Sequence, residues 1–269
     1  MVDDIELGKY VKNEKETKEK LPRVDSRLFN TAEFKAFAYQ RLEKEKKSVQ
    51  NSETVFDHTG PAWRTLSQEE KAKNTLTEKD FHVMRTLGRG GYGKVCLMVK
   101  KSTGKSYAVK ILKKIEIIQM DAMQKVRNEK DILIQNDHPF LVSLEFCFHS
   151  PERIYFGMKF LQGGMLLSHI QARGFFPEDQ ARFYAAQILL ALEYLHQRNI
   201  AYRDLKPENI VMDTNGYLRL VDYGICKTLA GHDSVTKSIV GSKQYLPPEV
   251  IAQKGHNKMA DWWCFGILM

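Results

Sequence analysis

Cysteine is scarce and unpatterned in this chain. Four cysteines occur in 269 residues, at 96, 147, 226 and 264. None has the paired spacing of a disulfide framework or a zinc site, so each reads as a small buried hydrophobe in a reducing compartment. Long apolar runs are lacking too. A stretch such as ILLAL, residues 188–192, is cut by Glu193 and is far too short to cross a bilayer. The opening MVDDIELGKYVKNEKE has no apolar core of the kind a secretory leader carries. Also absent is a tight basic run with interleaved aromatics. The net charge is +8, yet residues 1–80 balance 16 basic against 16 acidic side chains, and the excess is dispersed over 81–269 as 25 against 17. These absences exclude a membrane span and a nucleic-acid partner from the expectations, and they favour the cytoplasm, with the nucleus also compatible.

The chain changes texture near residue 80. Residues 9–20 (KYVKNEKETKEK) are a solvated charge-rich stretch. Residues 31–50 read as a helix, with Asn30 and Glu33 suited to a capping box and Phe34, Phe37, Ala38 and Leu42 on one face. That face is expected to dock on the neighbouring domain. Residues 51–77 read as a linker, which makes 1–80 an N-terminal extension. Beyond it, β-like runs follow at 81–87, 94–100 and 106–112, then a helix near 119–135 and further strand-like runs at 141–148 and 153–160. After Gly163 and Gly164 the pattern turns helical across 177–199. A β-rich half followed by a helical half predicts an α+β, two-lobed architecture, with an N-lobe over 81–158 and a C-lobe over 162–269.

Chemistry gathers in three stretches. LGRGGYGKV, residues 87–95, places Gly88, Gly90 and Gly93 as G-x-G-x-x-G between two β-like runs. A dinucleotide fingerprint should run from strand into helix, so this reads instead as a hairpin whose bare backbone can approach phosphates. Fifteen residues after Val95 comes Lys110, ending AVK. Alone it would be a solvated strand end. Beside the hairpin it fits a strand lysine that holds nucleotide phosphates and pairs with a helix glutamate, for which Glu129 is the candidate. YRDLKPEN, residues 202–209, is the most specific stretch. Asp204 is placed to take or orient the proton of an attacking hydroxyl, Lys206 to neutralise phosphoryl charge, and Asn209 to offer an amide oxygen to Mg²⁺. Thirteen residues after Asn209, Asp222 in LVDYGICK would meet metal and phosphates, with Tyr223 where Phe is usual.

Residues 81–269 resemble the eukaryotic Ser/Thr protein kinases of the AGC group, which includes the cyclic-nucleotide-dependent and ribosomal S6 kinases. The likeness rests on YRDLKPEN, ARFYAAQI (181–188), DHPFLV (137–142), YLPPE (245–249) and DWW (261–263). The resemblance implies ATP and Mg²⁺ as cofactors and protein substrates with Ser or Thr acceptors near basic residues. It implies an adenine site between Leu87, Val95 and Ala108 above and Val211 below. Met158 becomes the gatekeeper, with a hinge at 159–161, and Leu133, Leu144, Tyr202 and Tyr223 form a spine. Ser238 falls where the group carries its activation-loop phosphate, with Arg203 and Lys227 to pair with it and an upstream activating kinase to install it.

Three departures temper that picture. Met165 stands where relatives usually have a Glu that touches ribose and a basic substrate residue. Glu208 still offers a carboxylate. IVGSKQYLPPE (239–249) keeps a hydroxyl at Ser242 but carries Lys243 and Gln244 where relatives have Pro and Glu. The chain also stops at DWWCFGILM, which by resemblance opens the central helix of the C-lobe. The expectation is therefore an incomplete C-lobe, an exposed apolar patch near 259–269, and Glu249 without its usual arginine. An alternative reading, a nucleotide-binding regulatory or inactive kinase fragment, follows from that incompleteness.

Overall fold

The computed structural model describes residues 76–231 and 234–269. The helix expected over 31–50 and nearly all of the expected linker lie outside them. The first described residues already belong to the folded body. Leu76 packs against an apolar cluster of the sheet, and Glu78 accepts a hydrogen bond from the Tyr155 hydroxyl at 2.9 Å.

Five antiparallel strands form the N-lobe: β1 (Phe81–Gly90), β2 (Gly93–Lys100), β3 (Ser106–Lys113), β4 (Leu144–His149) and β5 (Arg153–Lys159), in the spatial order β1-β2-β3-β5-β4. Period-two alternation gives the sheet two different faces. Cys96, Met98, Tyr107, Val109, Ile111, Phe146 and Tyr155 fall on one face and build, with Phe81 and Phe148, a buried cluster of stacked and edge-on rings. Val95, Leu97, Ala108, Lys110, Phe156 and Met158 share the other face, as their cross-strand pairing shows. That face looks towards the second lobe.

Two helices interrupt the sheet order, α1 (Lys114–Gln119) and α2 (Met123–Gln135). One helix was expected here. The break falls at Asp121, whose φ of 45° is left-handed and cannot continue an α-helix. Likewise, the strand-like run from 141 joins β4 only at Leu144. Before it, Leu141 bridges Leu220 and the Val142 N–H bonds the Leu220 carbonyl at 3.1 Å, so these residues stitch the lobes together.

The second lobe comprises α3 (Leu166–Arg173), α4 (Glu178–Gln197), β6 (Ile200–Ala201), β7 (Ile210–Met212), β8 (Leu218–Leu220), β9 (Lys227–Thr228), α5 (Pro248–Ile251) and α6 (Ala260–Leu268). Along α4, Tyr184, Ile188, Ala191, Leu192 and Leu195 recur at helical spacing and are buried. Gln187 lies on the same stripe and is fully buried, so its amide needs partners. It bonds the Phe183 carbonyl at 3.1 Å and receives the Leu218 N–H at 2.8 Å, fixing α4 to β8. α6 buries Ala260, Asp261 and Cys264 while Trp263, Ile267 and Met269 are exposed. Among the described residues no helix is long and apolar enough to cross a membrane.

Candidate active site

The cleft face of the sheet supplies the first group of functional side chains. Lys110 sits on β3 directly opposite Val95 and Phe156. Its ammonium lies 2.5 Å from Glu129 of α2 and 3.0 Å from Asp222. Burial works against its charge, but two carboxylates outweigh burial and hold the lysine well above its ordinary range. Burial, reinforced by Asp222, pushes Glu129 up while Lys110 pulls it down. With one ammonium facing two carboxylates, the ionised form of Lys110 is the state these contacts favour. Asp222 is opposed by burial too, yet Lys110, the Gly224 N–H and Lys206 hold its carboxyl below the usual carboxylate range.

The glycine hairpin divides into two roles. A side chain at Gly93 would collide with the Ile111 carbonyl oxygen, at 1.9 Å from an added Cβ, so packing demands glycine there. At Gly88 and Gly90 an added Cβ meets no protein atom. Packing against the protein therefore does not demand glycine at those two positions. Leu87 lies at a register shift between Thr86 and Gly88, a bulge of the kind that re-aims a side chain beside a site. Ala108 pairs with Met158 and shares its face with Lys110. Across the cleft, Val211 lies half-buried between the fully buried Ile210 and Met212. Val95, Ala108 and Met158 thus share one face of the sheet, while Val211 belongs to β7 of the second lobe.

The second group comes from the loop between β6 and β7. Asp204 and Lys206 are 2.9 Å apart, and Lys206 also donates to the Ser242 hydroxyl at 2.8 Å. Ser242 in turn donates to Asp204 at 3.0 Å. Asn209 spends its amide N–H groups on Asp204, 2.9 Å to the carbonyl and 2.7 Å to the carboxylate. Among the described residues no donor meets its amide oxygen, a hard oxygen ligand. Together with the ionised, half-exposed carboxylate of Asp222, it gives the oxygen donor set that suits Mg²⁺. The Val221 N–H donates to the Asn209 carbonyl at 2.9 Å, which sets the backbone before Asp222 against that of Asn209.

Two of the five left-handed non-glycine residues among those described lie here. Arg203 and Asp222 both have left-handed backbone, φ 69° and 60°, a conformation that costs about 1–3 kcal/mol in a non-glycine residue. Asp261 of α6, fully buried, restrains the first. Its carboxylate accepts the N–H groups of Tyr202 at 2.9 Å and Arg203 at 2.7 Å and pairs with His196 at 2.8 Å. Tyr202 and Tyr223 meet edge to face in the core, 6.0 Å apart. The extra hydroxyl of Tyr223 is satisfied. It accepts the Val142 N–H at 3.1 Å and faces the carbonyls of Leu220 and Val142 at 3.0 and 3.1 Å.

Arg203, Lys227 and Ser238, grouped by the sequence expectation, also meet. Arg203 donates to the Ser238 hydroxyl at 2.7 Å and grips the Ile225 carbonyl. Lys227 reaches Thr236 at 2.9 Å, and the Thr236 hydroxyl lies 3.2 Å from that of Ser238. Lys227 is thus coupled to Ser238 through a threonine that sequence reasoning missed. His256, paired with Thr236 by backbone hydrogen bonds of 2.8 and 2.9 Å, was missed as well. His196 was the third omission. No spacing rule ties these residues to the site, because each is brought in by tertiary folding.

Comparison with known proteins matches residues 81–269 to the protein kinase domain family. The chain is 45% identical over 198 residues to serine/threonine-protein kinase sgk-1 of Caenorhabditis elegans, covering 73% of this chain and 43% of that protein. It is 42% identical over 191 residues to serine/threonine-protein kinase Sgk1 of Homo sapiens, covering 71% and 44%. The Gallus gallus Sgk1 gives the same identity and coverage. The chain spans less than half the length of the curated relatives it matches.

Proposed function

The chain belongs to the protein kinase family, within the AGC group of eukaryotic Ser/Thr kinases, and from that membership we propose that it transfers the γ-phosphoryl group of ATP to Ser or Thr hydroxyls of proteins. The observation that carries this reading is completeness. Lys110 bonds Glu129 and Asp222, Asp204 bonds Lys206 and Asn209, and Lys110 pairs on the sheet with Val95 beside the glycine hairpin. No member of the set is missing, so a nucleotide-binding chain without chemistry is not favoured.

Each residue has a defined task in this reading. The hairpin backbone and Lys110 hold the phosphates, with Glu129 keeping Lys110 in place and charged. Leu87, Val95, Ala108, Met158 and Val211 enclose the base. Asp204 orients the acceptor hydroxyl and takes its proton as oxygen bonds to the γ-phosphorus and the bond to the β-phosphate oxygen breaks. Lys206, already bonded to Asp204 and Ser242, offsets negative charge on the group in transfer. Asn209 and Asp222 would hold Mg²⁺, which when bound neutralises phosphate charge.

Ser238 is the proposed regulatory phosphosite. Arg203 already contacts its hydroxyl, and a phosphate there would gain charge-assisted bonds from Arg203, with the Lys227 cation bonded to the adjacent Thr236. An upstream kinase would install it. Glu208, exposed beside the site, supports an acceptor sequence with a nearby basic residue. The four free cysteines fit a cytoplasmic or nuclear setting.

The test is γ-phosphate transfer from labelled ATP to a Ser-containing basic peptide by the full chain and by Asp204→Asn. The variant should lose at least about 100-fold in rate, in line with loss of a general base. Its thermal stabilisation by ATP should persist, since Lys110 and the glycine hairpin are untouched. Equal incorporation by both proteins would refute the assignment.

A further inference from the structure

The acceptor side of the cleft carries a charge that the reaction itself does not use. Ser242 is fixed by two hydrogen bonds, to Asp204 at 3.0 Å and from Lys206 at 2.8 Å. The next residue, Lys243, opens the single 3-10 turn Lys243–Tyr245. Lys243 is exposed, and among the described residues its ammonium has no ion pair or hydrogen bond. Consecutive Cα atoms are about 3.8 Å apart, so this cation is tethered one residue from a hydroxyl bonded to the proton-accepting carboxylate. The adjoining residue does not neutralise it, since Gln244 is an uncharged amide. Glu208 lies towards the other end of the turn, where it and Lys206 act in opposite senses on the Tyr245 hydroxyl.

We infer that Lys243 is a specificity-determining residue that favours an Asp or Glu within two positions of the phosphorylated Ser or Thr. The inference rests on the kinase reading above and sharpens its substrate class. An acceptor hydroxyl delivered to Asp204 brings its immediate neighbours alongside Ser242 and Lys243. The flexible four-carbon stem of lysine lets the ammonium seek a carboxylate at either neighbour. Glu208 remains free to meet a basic residue further along. The acceptor sequence is then bipolar, with acid next to the phosphorylated residue and base at a distance. Because the pair is solvent-exposed, its effect is a modest selectivity rather than an absolute requirement.

The experiment compares three peptides, identical except that the residues flanking the acceptor Ser are Glu, Gln or Lys, with the full chain and Lys243→Glu. The wild type should rank Glu above Gln above Lys in kcat/KM, with roughly fivefold between the extremes, as expected for gain of an exposed pair against a like-charge contact. Lys243→Glu should reverse the order while leaving the KM for ATP unchanged. Raising salt from 50 to 500 mM should compress both rankings, since such a contact is screened beyond a few ångström. Equal rates for the three peptides, or the same order in the variant, would overturn the inference. Failure to phosphorylate any peptide would count against the kinase reading instead. Peptide binding, followed by fluorescence anisotropy with a non-hydrolysable ATP analogue, then decides the role of Lys243: a reversed order in the variant supports it, and an unchanged order rejects it.

Discussion

Replacing Asp261 by Asn exchanges one carboxylate oxygen for an NH₂ group at a position with no solvent exposure. The two oxygens serve different donors. One takes the Arg203 N–H at 2.7 Å, and the other takes the Tyr202 N–H at 2.9 Å and His196 at 2.8 Å. An amide can accept at only one of these sites, so the other backbone N–H must face a donor. Loss of one hydrogen bond to a charged group costs about 1.5–3 kcal/mol, and the buried N–H left unsatisfied adds about 1–3. Partial relaxation makes about 3 kcal/mol a reasonable sum, a large fraction of the 5–15 kcal/mol typical of a domain. The left-handed backbone of Arg203 is held by this carboxylate, so the adjacent Asp204 should also lose its alignment. Urea unfolding followed by tryptophan fluorescence reads the stability, since Trp262 and Trp263 adjoin Asp261. The midpoint should fall with the slope unchanged. In the transfer assay kcat should drop while the KM for ATP stays within about twofold, because the nucleotide walls are not touched. A midpoint shift worth less than about 0.5 kcal/mol would refute the bridging role of the carboxylate.

Two further outcomes test the electrostatics. Lys110→Met leaves Glu129 buried without its cation, and removing one partner of a buried pair costs about 3–5 kcal/mol. The thermal midpoint should fall and ATP-dependent stabilisation should vanish; full retention of that stabilisation would show that Lys110 does not hold the nucleotide. His138 provides a pH test. Burial first, then Arg198 and Arg219, push its pKa down from 6.5 to about 4. Its neutral ring accepts the Phe140 N–H at 3.4 Å and packs on Tyr194. Between pH 6.5 and 4 the unfolded chain binds a proton that the folded chain refuses, so stability rises with pH through that window and is lost on acidification. About 2 kcal/mol should disappear between pH 7 and pH 4.5, and His138→Gln should flatten the slope. An unchanged slope in the variant would assign the acid loss elsewhere.

Much of the site can be read in one dimension because its parts are local. The G-x-G-x-x-G spacing defines a hairpin within a few residues, and Asp204 to Asn209 lies on one short loop. Strand alternation then places Val95, Ala108 and Lys110 on a common face without knowledge of the rest. The family likeness works through these same local stretches. Other features have no local signature. The break between α1 and α2, the use of Leu141 and Val142 as an inter-lobe stitch, and α3 after its glycine pair each depend on what packs alongside. The same holds for the partners that make the site work. Asp261 reaches Arg203 across 58 residues, Tyr223 reaches Val142 across 81, and Thr236 carries Lys227 to Ser238. Residue types and short spacings dictate the chemistry available, since each motif closes on itself. Which strained backbone is held, which charge is neutralised and which cation stays free at Lys243 depend on contacts between distant segments, and only the packed chain makes those contacts.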